Sequence, residues 1–533
     1  MTHDLDVLAR HCAKGRVSRR TFLARAAALG VAAPVAARVL GHAEAQAATP
    51  IKGGDLVLGN AGGSTTDSLD PASWASQVPL NFSRTWAETL VFTDPNDGSA
   101  QPMLAESWEA SADAKTWAFK IRKGVTFHNG REMTVEDVVA SLQRHSNEDA
   151  KSGALGIMKT IGSDFSADGD NLVVKLETAN ADLPFLLSDY HLAIQPGGGF
   201  EAPDAGIGTG AYIIEVNEPG VRHTAVKNPN HWNPDVGHYD SVTVLVINDD
   251  TARIAALTSG KAHTINRVAP KTVDLLRRAP GVAINNVSGR GHYVFINHID
   301  TEPFTNNDLR LALKFAVDRE ELVDKILNGL GSVGNDFPIN GAYALFPEEI
   351  EQRPFDPDQA AFHYKKSGHD GSPIVLRTSN AAFPGAEDAA VLYQASCQKA
   401  GIPLEIKREP ADGYWSNVWN TQPFCVSYWG GRPTQDQMYS VAYQSTADWN
   451  DTRFKRDDFD KLLIEARGEL DQTRRKELYT EMALTLRDEG GLILPMFNDF
   501  VDAATDRLKG QVLDPAGGMS NGYIGLRTWL DDA

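Results

Sequence analysis

Cysteine is scarce in this 533-residue chain, with only Cys12, Cys397 and Cys425 present. No Cys-x-x-Cys pair exists, and neither a Gly-x-Ser-x-Gly elbow nor a His-Glu-x-x-His helix can be found. The sequence therefore offers no recognisable thiol, serine-hydrolase or zinc-protease centre. Carboxylates are plentiful, but none is singled out by spacing, so a hydrolase is the less favoured alternative and no catalytic residue is nominated. Histidine gives no better metal signal. His363 and His369 lie six residues apart, as do His292 and His298, whereas helical ligand pairs prefer three or four. No metal ligand and no cofactor is assigned, and a metal- or haem-carrying protein stays as a rival reading. Low-complexity tracts and short repeats are absent too. So is any uninterrupted apolar run of the ~20 residues that a membrane helix needs.

What is present begins with an N-terminal segment unlike the rest. Ser18-Arg19-Arg20-Thr21-Phe22-Leu23 leads into an alanine-rich run from Ala24 to Leu40, broken by Arg25, Pro34 and Arg38. It ends in Ala43-Glu44-Ala45-Gln46-Ala47-Ala48, which holds small-x-small cleavage sites. A charged start, a mildly apolar middle and such an end describe an export signal. The Arg19-Arg20 pair before Phe-Leu points to the twin-arginine route, and residues 1–47 are expected to be removed near Ala45 to Ala48. Two arginines inside the run make a retained span costly, at roughly 2.5–3.5 kcal/mol each near the bilayer centre. Cys12 precedes the arginine pair, and no cysteine stands at the cleavage point for a lipid anchor. The expectation is a soluble periplasmic protein.

The whole chain carries a formal charge of −19. Removing the seven basic and three acidic residues of the signal leaves 44 basic and 67 acidic, a charge near −23. Such a surface argues against nucleic acid and anionic membrane as partners. Cys397 and Cys425 remain, either as two buried thiols or as a disulfide.

Along the mature chain, Asp55 to Gly59 is a strand candidate followed by the polar loop Gly62 to Pro71. Trp117 to Arg122 alternates as a half-buried strand. Gly124 to Gly130 suggests a second, closing in an Asn-Gly turn. Thr134, with Asp137 three residues on, forms a capping box for a helix from Val135 to His145. Asn171 to Leu176, Ala211 to Val216, Ser241 to Ile247 and Tyr293 to Asn297 are further strands, and Thr251 to Gly260 a short helix. The run Gly206-Ile207-Gly208-Thr209-Gly210 opens onto a strand without a following lysine, so it is no phosphate loop; the glycines suit a tight crossing. Asn307 to Leu330 predicts one or two helices. Strands at Ile374 to Arg377, Leu404 to Lys407 and Leu492 to Leu494 alternate with helices at Glu387 to Ala400 and Asp458 to Arg487. That rhythm predicts an α/β fold.

Four blocks in order resemble one family. Behind the export signal they are Leu104 to Trp108 with Trp117 to His128; its continuation Asn129-Gly130 and Thr134 to Val139; Gly208 to Tyr212 with Asn228-Pro229-Asn230-His231-Trp232; and Phe304 to Gly329 with Ala316-Val317-Asp318-Arg319. Together they resemble the large extracytoplasmic solute-binding proteins of peptide ABC importers, family 5, across nearly the whole mature chain. The resemblance implies a two-lobed periplasmic clamshell of the large peptide-binding class, type II, with an extra small α+β subdomain. Residues 48–91, 206–298 and 497–533 would form lobe I, 92–205 the subdomain, and 299–496 lobe II. It also implies capture of a small peptide-like or amino-acid-derived solute and delivery to ABC permease subunits, by a monomer. The same clamshell would serve a ligand-reporting partner of a membrane sensor.

Recognition is expected between Tyr414 and Trp449, where nine aromatics fall in 36 residues. That density suits ligand walls, although most would fill the core and two or three would reach the cleft. Trp429-Gly430-Gly431-Arg432-Pro433-Thr434-Gln435-Asp436 resembles the family's ligand loop. In peptide-binding relatives an acidic residue follows the Trp-x-x unit and meets the peptide ammonium; here Arg432 stands there. A guanidinium favours a carboxylate, bidentately, unless Arg432 pairs internally with Asp436. Tyr414, Thr65, Thr66, Asn380 and Asn498 complete the candidate ligand residues.

Overall fold

The computed structural model describes residues 50–531 except 75–76, 97, 148–151, 380–381, 411–413 and 448, together with Phe22 and Ala26. Arg19, Arg20 and the cleavage region lie outside the described residues, as does Asn380.

The strands before the midpoint are β1 (Asp55–Asn60), β2 (Val91–Thr93), β3 (Ala100–Pro102), β4 (Ala105–Ala110), β5 (Thr116–Ile121), β6 (Asp164–Asp168), β7 (Asn171–Lys175), β8 (Tyr212–Glu218), β9 (Arg222–Lys227), β10 (Ser241–Val246) and β11 (Thr264–Ile265). After them come β12 (Val282–Asn297), β13 (Gly331–Val333), β14 (Ile374–Thr378), β15 (Leu404–Arg408), β16 (Phe424–Trp429) and β17 (Leu492–Thr505). One eleven-stranded sheet runs in the order β15-β14-β16-β12-β17-β11-β1-β10-β9-β8, with β13 on β17.

At one end of this sheet, β1 pairs in parallel with β10 through Leu56↔Val242 and Leu58↔Val244. All four side chains are buried, and helix Gln77–Trp86 covers them through Val78, Phe82 and Trp86. At the other end, the side chains of β12 alternate between two cores, as a pleated strand requires. Phe295 joins Leu313, Leu376 and Tyr393 on one face, while Val294 and Ile296 join Tyr439, Tyr479 and Leu486 on the other. Helices on both faces of this part make it α/β. Cys397 and Cys425 are separate buried thiols in the first of these cores.

The two ends are joined through β12 and β17. From Val282↔Thr505 to Ser288↔Asp499 they pair where β17 also meets β11. After a register shift between Ser288 and His292 they continue where β12 meets β16. Sequence periodicity caught only the last five residues of β12 and the first three of β17. The remainder carries Asn285, Asn286, Gly289, Gly291, Pro495, Asn498 and Asp499, so apolar alternation is missing and the pairing itself defines the strands.

Separate from this sheet stands a four-stranded antiparallel one, β4-β5-β7-β6, packed on helix Val135–Ser146 through Phe119, Leu172, Val174, Val138 and Leu142. The capping box forms as expected: Thr134 accepts from the Asp137 N–H, and the Asp137 carboxylate accepts from the Thr134 N–H at 2.9 Å. Gly124 to Gly130 is not a strand. Only an isolated bridge joins Thr126 and Glu132, because Val125 and Phe127 turn inward from a loop and Gly130 takes a φ of 84°. The span expected as one helix from Asp458 is two, Asp457–Gly468 and Gln472–Glu489, the second capped by Asp471. Asn307 to Leu330 is likewise two helices, Asn307–Phe315 and Arg319–Leu327. The glycines at 208 and 210 do mark a tight crossing, since a Cβ on either would fall 2.2–2.5 Å from the Trp86 backbone. Among the described residues, no helix is long and apolar enough to cross a membrane.

Candidate functional site

A cavity of about 600 Å³ lies where the two ends of the large sheet and the four-stranded unit meet. Helix Gln77–Trp86 contributes Leu80 and Arg84 to its wall, and the segment 516–521 adds Ala516 and Asn521. The four-stranded unit supplies Ile157, Thr160, Ser188, Asp189 and Tyr190. The opposite wall is the loop Gly431-Arg432-Pro433 with Asp436, Ser440 and Trp449. The joining strands form the base, through Arg290 and Gly291 of β12 and Phe500 of β17.

The loop wall is built from β16 outward. Trp429 ends that strand, and its indole N–H donates to the Asp451 carboxylate at 3.0 Å, as the Trp419 indole does at 2.9 Å. Trp449 packs on both rings, with centroids 6.0 and 6.2 Å away. Asp451 is fully buried, and one of its oxygens has no partner. Burial pushes its carboxyl up to about 7, against the two indole hydrogen bonds that favour the ion. Thr434 then caps helix Gln435–Ala442 by accepting from the Gln437 N–H.

Arg432 sits between these elements. Its backbone N–H donates to the Tyr343 hydroxyl at 3.1 Å, and its Nη1 donates to the Gly430 and Gly431 carbonyls at 3.0 and 3.3 Å. The guanidinium lies 5.7 Å from the Trp429 ring centroid. Among the described residues no carboxylate lies within 4.0 Å of it. Asp436 does not fill that place: it pairs with Arg467 at 2.9 Å, and Arg467 also donates to Ser440 Oγ at 2.6 Å. The internal Arg432–Asp436 pair that the sequence left open is therefore absent. Burial pulls the Arg432 and Arg290 guanidinium pKa values down, since neither gains a close anion. Arg290 donates from Nε to the Ala342 carbonyl at 3.0 Å and stacks on Tyr343 at 5.0 Å.

The four-stranded unit also grips the loop wall from behind. Arg475, in helix Gln472–Glu489, pairs with Asp182 at 2.7 Å, and both side chains are almost fully buried. The Ala181 N–H donates to the Arg467 carbonyl at 2.7 Å. Asp436 lies in the same cluster, its carboxyl pushed up to about 6 by burial, with the nearby Asp182 charge adding to the rise and Arg467 opposing it.

Of the residues picked from sequence, Gly431, Arg432 and Asp436 line the cavity. Gly430 lies in the same loop and presents its carbonyl to Arg432, and Trp429 lies beneath that loop. Asn498 underlies the base, where a Cβ on Gly291 would meet its Oδ1 at 2.9 Å. Tyr414 is in the core, donating to the Val426 carbonyl at 2.7 Å. Thr65 packs under Gly220, and the Thr66 hydroxyl is within hydrogen-bonding distance of Ser64 Oγ. None of these last three lines the cavity. Among the described side chains of that aromatic cluster, Trp449 is the one on the cavity wall. Tyr439 and Tyr443 fill the core instead. Sequence reasoning missed Arg84 and Arg290. The second carried a signal, an arginine between two glycines, but Arg84 on an amphipathic helix resembles any solvent-facing residue.

Residues 99–451 match the model of the bacterial extracellular solute-binding proteins, family 5 middle. Heme-binding protein A of Haemophilus influenzae is 24% identical, covering 78% of this chain and 82% of its own. Di/tripeptide-binding protein 1 of Pseudomonas aeruginosa is also 24% identical, covering 79% and 85%. Among solved structures, HbpA2 of Haemophilus parasuis superposes with a TM-score of 0.80 at 19% identity, covering 90% of this chain and all of that one. The match to the family spans well over half of the sequence, and the fold is that of a two-lobed periplasmic binding protein. The chain belongs to the bacterial extracellular solute-binding proteins of family 5.

Proposed function

We propose that this protein is the periplasmic capture component of an ABC importer for a peptide-like or amino-acid-derived solute that presents a carboxylate to Arg432. One observation carries the ligand class: Arg432 lines the cavity, and among the described residues its guanidinium is held by two carbonyls and an aromatic face alone. Arg432 is half-buried; closing the lobes over it without an anion would cost several kcal/mol, and a ligand carboxylate removes that cost with bidentate hydrogen bonds. An ammonium would meet repulsion at the same place. Haem is favoured less, because the described lining holds no His, Cys or Met and its one haem-ligating side chain, Tyr190, has its hydroxyl pushed up to about 12 by burial.

In this reading residues 1–47 are the twin-arginine export signal, and the mature monomer diffuses in the periplasm. Residues 48–91, 206–298 and 497–533 form lobe I, 92–205 its subdomain, and 299–496 lobe II. Solute shuts the lobes by touching both, which supplies the differential contacts closure needs, and the closed form docks on the permease subunits. Micromolar capture corresponds to about 8 kcal/mol net.

Native mass spectrometry of protein purified from its own periplasm should find a carboxylate-bearing cargo. Removing a charge-assisted hydrogen-bond donor costs about 1.5–3 kcal/mol, so Arg432→Ala should weaken binding of that cargo about 10- to 150-fold. Unchanged affinity for every carboxylate ligand tried would remove the assignment.

A further inference from the structure

Arg84 is 6% exposed, lines the cavity and makes neither an ion pair nor a side-chain hydrogen bond among the described residues. Its Nε is buried without a partner. The guanidinium rests 4.7 Å from the centroid of the Tyr523 ring, and Arg527 rests 4.5 Å from the same centroid. Among the described residues Arg527 also lacks an ion pair, and its Nη1 is buried without a hydrogen-bond partner. Across the cavity Arg290 alone makes a comparable guanidinium–tyrosine contact, with Tyr343, whose hydroxyl accepts the Arg432 backbone N–H.

The carboxylates nearby do not discharge the Arg84 platform on Tyr523. Asp189 takes the His191 N–H and lies 2.7 Å from its Nδ1. Asp436 is committed to Arg467. Asp514, 4% exposed, takes the Ala516 N–H at 2.9 Å and has no guanidinium within ion-pair distance. Burial pushes its carboxyl up, although Arg527, Arg290 and Arg84 act on it from a distance. A single ligand carboxylate at Arg432 leaves the Arg84 platform without an anion in a site that closure dries.

Building on the assignment of a carboxylate to Arg432, we propose that the solute carries two carboxylates, the second held at Arg84 against Tyr523 with Arg527 behind it. The ligand class is thus a dicarboxylate derived from an amino acid. Each acid group lies against a different wall, so the solute neutralises charge on both sides of the cleft at once.

Calorimetric titration with glutarate, adipate and N-acetylglutamate, each beside its monoamides, tests this directly. The diacids should bind at least tenfold more tightly than their monoamides. Arg84→Gln should erase that preference, and Arg84→Lys should keep part of it. Monoamides that bind as well as the diacids, a preference that survives Arg84→Gln, or failure of all three diacids to bind would each overturn the proposal. The comparison on the wild-type protein needs no variant, so it stands even if Arg84→Gln does not fold. Arg432→Gln separates the two readings. If it leaves every affinity unchanged, the carboxylate assignment at Arg432 fails; if it weakens diacid and monoamide alike while Arg84→Gln does nothing, only the second acid group fails.

Discussion

At the scale of single residues, Asp451 has the most testable chemistry. Its carboxyl titrates at about 7 in the folded protein because burial disfavours the ion, against about 4 when unfolded. The folded state therefore holds a proton that the unfolded state releases between those values, and stability falls as pH rises through that window. His145, His292 and His298 oppose this. Burial pulls each down to about 4, so their contribution is lost as pH falls below the unfolded value near 6.5. Comparing Asp451→Asn with wild type cancels the histidines. The variant should gain about 2–4 kcal/mol relative to wild type between pH 4.5 and pH 8, read from urea unfolding. A pH-independent difference would refute the burial argument. Gly431 makes a second case: a Cβ there would fall 2.1 Å from Arg290 Cβ, whereas one on Gly430 meets nothing nearer than Arg432 Nη1 at 3.9 Å. Gly431→Ala should cost about 1–3 kcal/mol and weaken solute binding, while Gly430→Ala should be close to neutral in urea unfolding. The ligand loop and Arg432 were legible in the sequence because Trp-Gly-Gly punctuates the chain. Arg84 was not, nor were Tyr343 and Tyr523 in the cores behind the cavity wall, since long-range packing alone brings them together.

Among the elements, those with a strong local period were the legible ones. Helix Val135–Ser146 announces itself by Thr134, Asp137 and four spaced apolar residues, and its cap forms as written. Thr134→Ala should lower stability by about 1 kcal/mol, measurable by urea unfolding; no loss would mean that the Arg131–Asp137 ion pair holds the turn alone. The two longest strands were mostly illegible. Polar residues and glycines occupy their middle, where the register shifts, and hydrogen bonding to each other replaces apolar alternation as the organising force. Gly124 to Gly130 erred the other way, since its apolar residues alternate without any strand partner beside them.

For the whole molecule, the Asp182–Arg475 pair ties the four-stranded unit to the helices behind the ligand loop. Removing one partner of a buried pair leaves the other charge unpaired, at about 3–5 kcal/mol. Asp182→Ala should therefore favour the open arrangement. Solute affinity should drop at least tenfold, and small-angle scattering should show a larger radius of gyration at sub-saturating solute. An unchanged scattering curve and affinity would show that the contact does not hold the lobes together. The α/β body was legible from the alternation of strands and helices and the small α+β unit from the family resemblance, but no periodicity could show which faces meet across the cleft.

Arg290 lies within the register shift of β12, where the two long strands change from one end of the sheet to the other. Under the proposed closure, the fulcrum of the motion is itself part of the base of the cavity. Cargo seated there bears directly on the lever rather than signalling to it through intervening side chains, so stiffening this short stretch should slow uptake and release together and leave their ratio little changed.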